Sequence, residues 1–226
     1  MEFTHVVPPC DIPDLKEKII NGQRHYLTPC GPLPSMTITL SVLAQPGLEK
    51  WKQNVGPDVA NVIARNAAIR GTQNHKIIED YLSNRDVSLY QKKVLAWGLF
   101  NLEKNTLDRI DNIQALEKTL YACQLGVAGR TDVIAEFDGT PSIIDFKTST
   151  RAKKEEWIQN YYLQETGYLL MWEERTSNEI QQIVTIIACE DGEIQVFIKK
   201  RDEFIPKVKA CIEEYYRRQS LKVKQK

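Results

Sequence analysis

No apolar run approaches the roughly 18 to 20 residues that a bilayer-spanning helix needs, so no membrane span is expected. The stretch from Met1 to Pro9 has neither a secretory apolar core nor an Arg-rich amphipathic pattern. A cytoplasmic setting without a cleaved address is therefore the expectation. Cysteine is scarce and scattered, with 5 residues (Cys10, Cys30, Cys123, Cys189 and Cys211) and no CxxC pair. That spacing argues against a zinc site or a disulfide framework and predicts reduced thiols. A charge excess of either sign is missing too, at 30 basic and 30 acidic residues, so composition alone gives no hint of nucleic acid. It does not exclude one, because a local basic channel can hold phosphates while acidic residues hold metal. No G-x-x-x-x-G-K-[ST] loop occurs, so the chain carries no P-loop motor motif.

What is present fits an ordinary soluble domain: 226 residues, 42% hydrophobic and 27% charged. That length suits one domain, residues 1–226, with an N-terminal elaboration. Residues 1–45 are rich in proline and turn residues, and short extended pieces such as His25 to Leu27 fit there. A helical region is expected over 46–105. Pro46-Gly47 opens a short helix to about Asn54, Pro57 starts a longer one to about Leu82, and a third covers Lys92 to Leu102. The pattern then changes to an α/β core over 113–218. Strands are expected at Gln114 to Cys123, Val127 to Phe137 and Ser142 to Thr148, the last two joined by an Asp138-Gly139 turn. A helix follows over Lys154 to Arg175, then a hairpin at Gln182 to Ala188 and Glu193 to Lys199, and a last helix from Asp202 to Arg218. The order predicts an α/β fold around a central mixed sheet flanked by helices. The basic tail (Arg217, Arg218, Lys222, Lys224, Lys226) reads as a solvated helix end.

The third strand of the core is chemically unusual. In Ile143-Ile144-Asp145-Phe146-Lys147, side chains alternate faces, so Asp145 and Lys147 share one face and Ile144 and Phe146 the other. The hairpin brings Asp132 of the preceding strand towards Asp145. Two neighbouring carboxylates repel unless something positive intervenes, and Mg²⁺, an oxygen-seeking ion that keeps several waters, answers that need. A lysine beside it can orient a water and stabilise charge developing on a phosphate. Standing alone, the same residues also fit a buried ion pair.

The wider pattern is more specific. Gly129-Arg130-Thr131-Asp132, then Asp145-Phe146-Lys147, then Gln164-Glu165-Thr166-Gly167-Tyr168 follow in order. This resembles the RecB-like exonuclease branch of the PD-(D/E)xK superfamily, with its G-x-x-D, D-x-K and Q-x-x-x-Y motifs. Upstream, Gly71 and His75 match the branch's G-x-x-x-H helix. The leader, Gln23 to Gly31 and Pro34 to Thr37, is similar to that of the subgroup of mitochondrial genome-maintenance and bacteriophage exonucleases.

The resemblance implies a restriction-endonuclease-like core and metal-dependent hydrolysis of DNA from single-stranded ends. His75, Asp132, Asp145 and the carbonyl oxygen of Phe146 would hold Mg²⁺, with Mn²⁺ as a substitute that imidazole also favours. Lys147 would place the water, and Gln164 and Tyr168 would brace Lys147 or touch the substrate backbone. Thr148, Ser149 and Arg151 are candidates for phosphate contacts. Glu79 is equally a partner for His75 or a solvated residue, and Glu117 is a candidate remote metal or water contact that reads more simply as a surface carboxylate. Trp157, Tyr161 and Tyr162 are able to stack on bases, but most aromatics at helical spacing are core, so they are left out of the site. Phage or host recombination proteins are the partners the leader suggests.

Three other readings stay open. Relatives of the Cas4 type hold an iron–sulfur cluster on closely spaced C-terminal cysteines; Cys189 and Cys211 are too far apart in sequence for that, so no cluster is expected. A structure- or sequence-specific endonuclease shares the core. A catalytically inactive DNA-binding protein would keep the fold without a chemical need for all six motif side chains.

Overall fold

The computed structural model describes residues 2–224, the side chains of 44–48 and 222–224 excepted. The side chains of Lys222 and Lys224, and all of Lys226, therefore lie outside the described residues.

Two sheets organise the chain. The larger has the order β4 (Ile110–Ala122), β5 (Val127–Phe137), β6 (Thr140–Ser149), β7 (Gln182–Cys189), β8 (Ile194–Lys200). Its neighbours are antiparallel except β6 and β7, which run parallel. A parallel pair needs a crossover, and α4 (Gln159–Thr176) supplies it. The expected mixed sheet flanked by helices is thus the observed one. Asp138-Gly139 forms the tight β5–β6 turn, with φ of 51° and 74°, a conformation that suits this pair of residues.

Helices cover both faces, and strand alternation divides the core accordingly. Ile134, Ile143, Ile183 and Ile187 pack with Leu163, Leu169 and Trp172 of α4 and with Val208 and Ile212 of α5 (Ile205–Lys224). Val133, Ile144, Phe146 and Ile186 pack with Ile77, Ile78 and Leu82 of α2 (Pro57–Leu82) and Phe100 of α3 (Val94–Leu107). Only the C-terminal half of α2 is bedded in this way; Val59, Val62, Ile63 and Ile69 remain exposed.

Three expectations need correction. The first helix, α1 (Met36–Val55), begins ten residues before Pro46, because Ser35 caps it by accepting from the Ile38 N–H at 3.3 Å. It docks on α4 through Met36 and Leu40, and at Gly167 an added Cβ would meet Met36 Sδ at 2.6 Å. The leader is also more ordered than isolated extended pieces. It forms a three-stranded sheet of β1 (Glu17–Ile20), β2 (Gln23–Thr28) and β3 (Gly31–Pro34). Asn21-Gly22, at φ of 51° and 74°, makes its first turn. Finally, Cys30 and Cys123 form a disulfide, where reduced thiols were expected. The pairing joins the β2–β3 turn to the β4–β5 turn, which sequence separation hid. Cys10, Cys189 and Cys211 are free.

Candidate active site

The β5–β6 ladder ends at the Val133–Ile144 pair. Beyond it the two strands part, and the next positions, Asp132 and Asp145, sit at the mouth of the fork. There the main-chain N–H of Phe146 donates to Asp132 Oδ2 at 2.9 Å, so a carboxylate takes over from the strand ladder. His75 of α2 closes the fork from the other side. Its Nε2 lies 2.8 Å from the Phe146 carbonyl, which can only accept, so Nε2 carries a proton and, in the neutral ring, Nδ1 offers a lone pair. Nδ1 faces Asp132 Oδ2 at 3.5 Å and Glu117 Oε1 at 3.7 Å.

Glu117 stands opposite Asp132 between the paired positions Leu116–Val133 and Lys118–Thr131. Its φ of 49° lies in the left-handed region, uncommon for a residue with a side chain. Arg130 holds it from outside, with Nε 2.9 Å from Oε2 and 3.0 Å from the main-chain carbonyl. Glu117 is therefore not the surface carboxylate that alternation suggests; its side chain is 20% exposed and turned into the site. His75, Glu117 and Asp132 each present a ligand atom, all within 4.8 Å of one another. One imidazole nitrogen and two carboxylate oxygens fit a Mg²⁺ or Mn²⁺ ion. The second nitrogen, held by a main-chain carbonyl, is the usual way a metal-binding imidazole is oriented. Burial disfavours an imidazolium at His75, but Asp132 and Glu117 outweigh it and hold the pKa above its ordinary value. The cluster thus draws positive charge. An open cleft of about 430 Å³, lined by Gly71, Thr72, His75, Glu79, Glu117 and Arg130, leads to it.

On the α4 side the arrangement is closed. Asp145, 1% exposed, accepts from the Lys147 ammonium and from Gln164 Nε2 at 3.4 Å. The same Gln164 amide donates to the Tyr168 hydroxyl at 3.0 Å. Tyr168 lies so close over β5 that a Cβ on Gly129 would come within 2.5 Å of its ring, which explains why the G-x-x-D and Q-x-x-x-Y motifs occur together. Burial lowers the Lys147 pKa, against the pull of Asp132 and Glu165. Glu165 is itself buried, accepts from the Thr185 hydroxyl, and has its pKa pushed up to about 8 by desolvation.

The structure therefore sorts the expected site residues into two adjoining sets. His75, Asp132 and the Phe146 main chain form one; Asp145, Lys147, Gln164 and Tyr168 form the other. Thr148 lies at the rim, accepting from Arg70 Nε at 3.0 Å. Ser149 and Arg151 fall outside both sets. Ser149 is 4% exposed and donates to the Arg151 carbonyl, whereas the Arg151 side chain is exposed. Glu117, weighed from the sequence as a remote metal or water contact but ranked behind a surface carboxylate, is drawn to the site by the β4–β5 register, which sets it opposite Asp132.

Residues 56–221 match the PD-(D/E)XK nuclease superfamily. The chain belongs to that superfamily. Its curated relatives include the mitochondrial genome maintenance exonuclease 1 of Mus musculus, 28% identical over 173 residues, covering 71% of this chain and 51% of the relative. The Homo sapiens protein of that name is 27% identical over 155 residues, covering 64% and 44%. The chain spans about half the length of the curated relatives it matches. Asp132, Asp145 and Lys147, expected from the sequence to carry the motif, lie within the matched span and meet at the β5–β6 fork.

Proposed function

We propose that this chain is a divalent-metal-dependent deoxyribonuclease that works as an exonuclease on single-stranded ends. The observation that carries the reading is the convergence of His75, Glu117 and Asp132 in an open cleft beside a buried Lys147. Superfamily membership and relatives named as exonucleases support it.

In this reading His75, Glu117 and Asp132 would hold Mg²⁺, or Mn²⁺ in its place, with Asp145 as a further ligand, while the Phe146 carbonyl, expected as a ligand, orients the His75 ring instead. Such an ion neutralises charge on a phosphate oxygen and makes a bound water more acidic. Lys147 orients that water and stabilises the charge that builds on the phosphate. Gln164 fixes the Asp145 carboxylate, and Tyr168 fixes Gln164, so the ammonium stays at a defined point. Thr148, with Arg70 behind it, and the exposed Arg151 are positioned to contact phosphates along the strand; Ser149 shapes the turn between them.

The test is incubation of end-labelled single- and double-stranded DNA with the protein in Mg²⁺, in Mn²⁺ and in EDTA, beside Lys147→Ala. The expected result is metal-dependent loss of single strands by the wild type and almost none by the variant. Linear strands should be degraded and closed single-stranded circles spared. Equal cutting of circles would contradict the end requirement, and no cleavage under any condition would contradict the nuclease.

A further inference from the structure

Helix α4 presents more than its two motif residues to the site. Tyr168, Gln164 and Tyr161 lie at i, i−4 and i−7, so they form one stripe facing β6. Tyr168 packs on Gly129, Gln164 holds Asp145, and the Tyr161 ring lies 5.2 Å from the Lys147 ammonium. One more step of four residues reaches Trp157, in the 3-10 turn of Glu155–Trp157 that leads into α4. The segment between Trp157 and Tyr161 is held by the Ile158 N–H donating to the Glu155 carbonyl at 3.2 Å and the Tyr161 N–H donating to the Ile158 carbonyl at 2.8 Å. Trp157 is 61% exposed, and among the described residues the cation over its ring is Lys154 Nζ at 5.4 Å.

The main chain that carries the indole is held at a defined place. Lys153 N–H donates to Gln195 Oε1 at 2.7 Å and Gln195 Nε2 returns a bond to the Lys153 carbonyl at 3.0 Å, pinning the connecting loop to β8. Trp157 N–H donates to the Lys154 carbonyl at 2.9 Å. Around it Arg151 and Lys154 are exposed and suit a phosphate backbone. Of the two acidic neighbours, Glu155 is paired with Lys199, which leaves Glu156 as the opposing charge. An exposed aromatic face interleaved with cations, four residues before the Tyr161 that lies against Lys147, is the chemistry that receives an unpaired base.

We propose that Trp157 is a stacking platform for one base of the single strand, on the nucleotide flanking the phosphate at Lys147. The inference rests on the nuclease reading above and sharpens it. A base inside a duplex has both faces covered by its neighbours, so the platform selects unpaired strands on the α4 side of the site. It is a binding residue, and its effect belongs on KM.

The experiment compares cleavage of a single-stranded oligothymidylate by wild type, Trp157→Ala and Trp157→Phe, with one abasic nucleotide walked along the strand. Thermal melts verify that the variants are folded, as an exposed position predicts. Trp157→Ala should raise KM about tenfold or more with kcat within a few-fold, and Trp157→Phe should keep most of the affinity. At one position the abasic nucleotide should cost wild type a similar factor and cost Trp157→Ala nothing further. Active wild type with an unchanged KM in Trp157→Ala, or an equal abasic penalty in both proteins, would overturn the platform alone. Folded wild type that cleaves no DNA in either metal would overturn the nuclease reading and the platform with it.

Discussion

The two sides of the β5–β6 fork use the same residue types to opposite ends. On the α2 side, His75, Glu117 and Asp132 turn a nitrogen lone pair and two carboxylates towards one point in an open cleft. On the α4 side, Asp145, Lys147, Gln164 and Tyr168 satisfy one another in a buried, nearly neutral set. The carboxylate beside Lys147 has its own cation, whereas the two carboxylates on the open side share the Arg130 guanidinium and the His75 ring, and so favour further positive charge. The open side is built to receive charge. The closed side holds one ammonium at a fixed point, which the proposed reaction would use.

Breaking the closed side should have the largest effect. Lys147→Ala is expected to lower kcat on single-stranded DNA by about 10²-fold or more, because water placement and charge stabilisation are both lost. Its thermal melt should stay close to that of wild type, and steady-state cleavage against an unchanged melt checks the split.

The disulfide sharpens the comparison from a distance. Cys123 follows β4, which carries Glu117, and Cys30 anchors the leader sheet beside it. Cross-linking residues 93 apart in sequence stabilises by up to about 4 to 5 kcal/mol in the chain-entropy picture. Reductant, or Cys30→Ser, should therefore lower the melting temperature by several degrees or more, and an identical melt with and without reductant would count against the pairing.

Gly129→Ala targets the contact that joins the two motifs. Crowding Tyr168 should cost about 1 to 3 kcal/mol, read from urea unfolding. The displaced Tyr168 should also loosen Gln164, so kcat should fall more than KM rises.

A smaller effect lies behind the open side. Glu103 of α3 is buried, accepts from Asn74 Nδ2 at 2.7 Å, and has its pKa pushed by burial from an ordinary 4.5 up to about 8, opposed by Asn74 and by the charge of His75. A folded pKa above the unfolded one means that the native state holds the extra proton between those values. Stability from this group is therefore complete below about pH 4.5 and is lost as pH rises towards 8, by a few kcal/mol at most. Glu103→Gln should flatten that slope in melts taken from pH 5 to 8.

Much of this was legible in the chain. Alternation in Ile143 to Lys147 put Asp145 and Lys147 on one face, and Asp138-Gly139 set the hairpin that carries Asp132. Pro57 marked the start of α2, and the structure begins the helix there. Other features needed information that local pattern lacks. Pro46-Gly47 masked the earlier cap at Ser35, and Asn21-Gly22 was a hairpin signal hidden among the leader's prolines. Glu117 reads as a surface residue until the β4–β5 register places it opposite Asp132. Whether Cys30 meets Cys123 depends on how the leader packs, which spacing along the chain does not report.

The central claim is that the open side, and not the Asp145–Lys147 side alone, holds the divalent ion. Titration of Mn²⁺ into the DNA-free protein, followed by calorimetry, tests it with wild type, Glu117→Gln and Asp132→Asn. The account predicts a site in wild type that weakens at least tenfold in Glu117→Gln and is lost in Asp132→Asn, with the folds intact. Undiminished Mn²⁺ binding in both variants would contradict it.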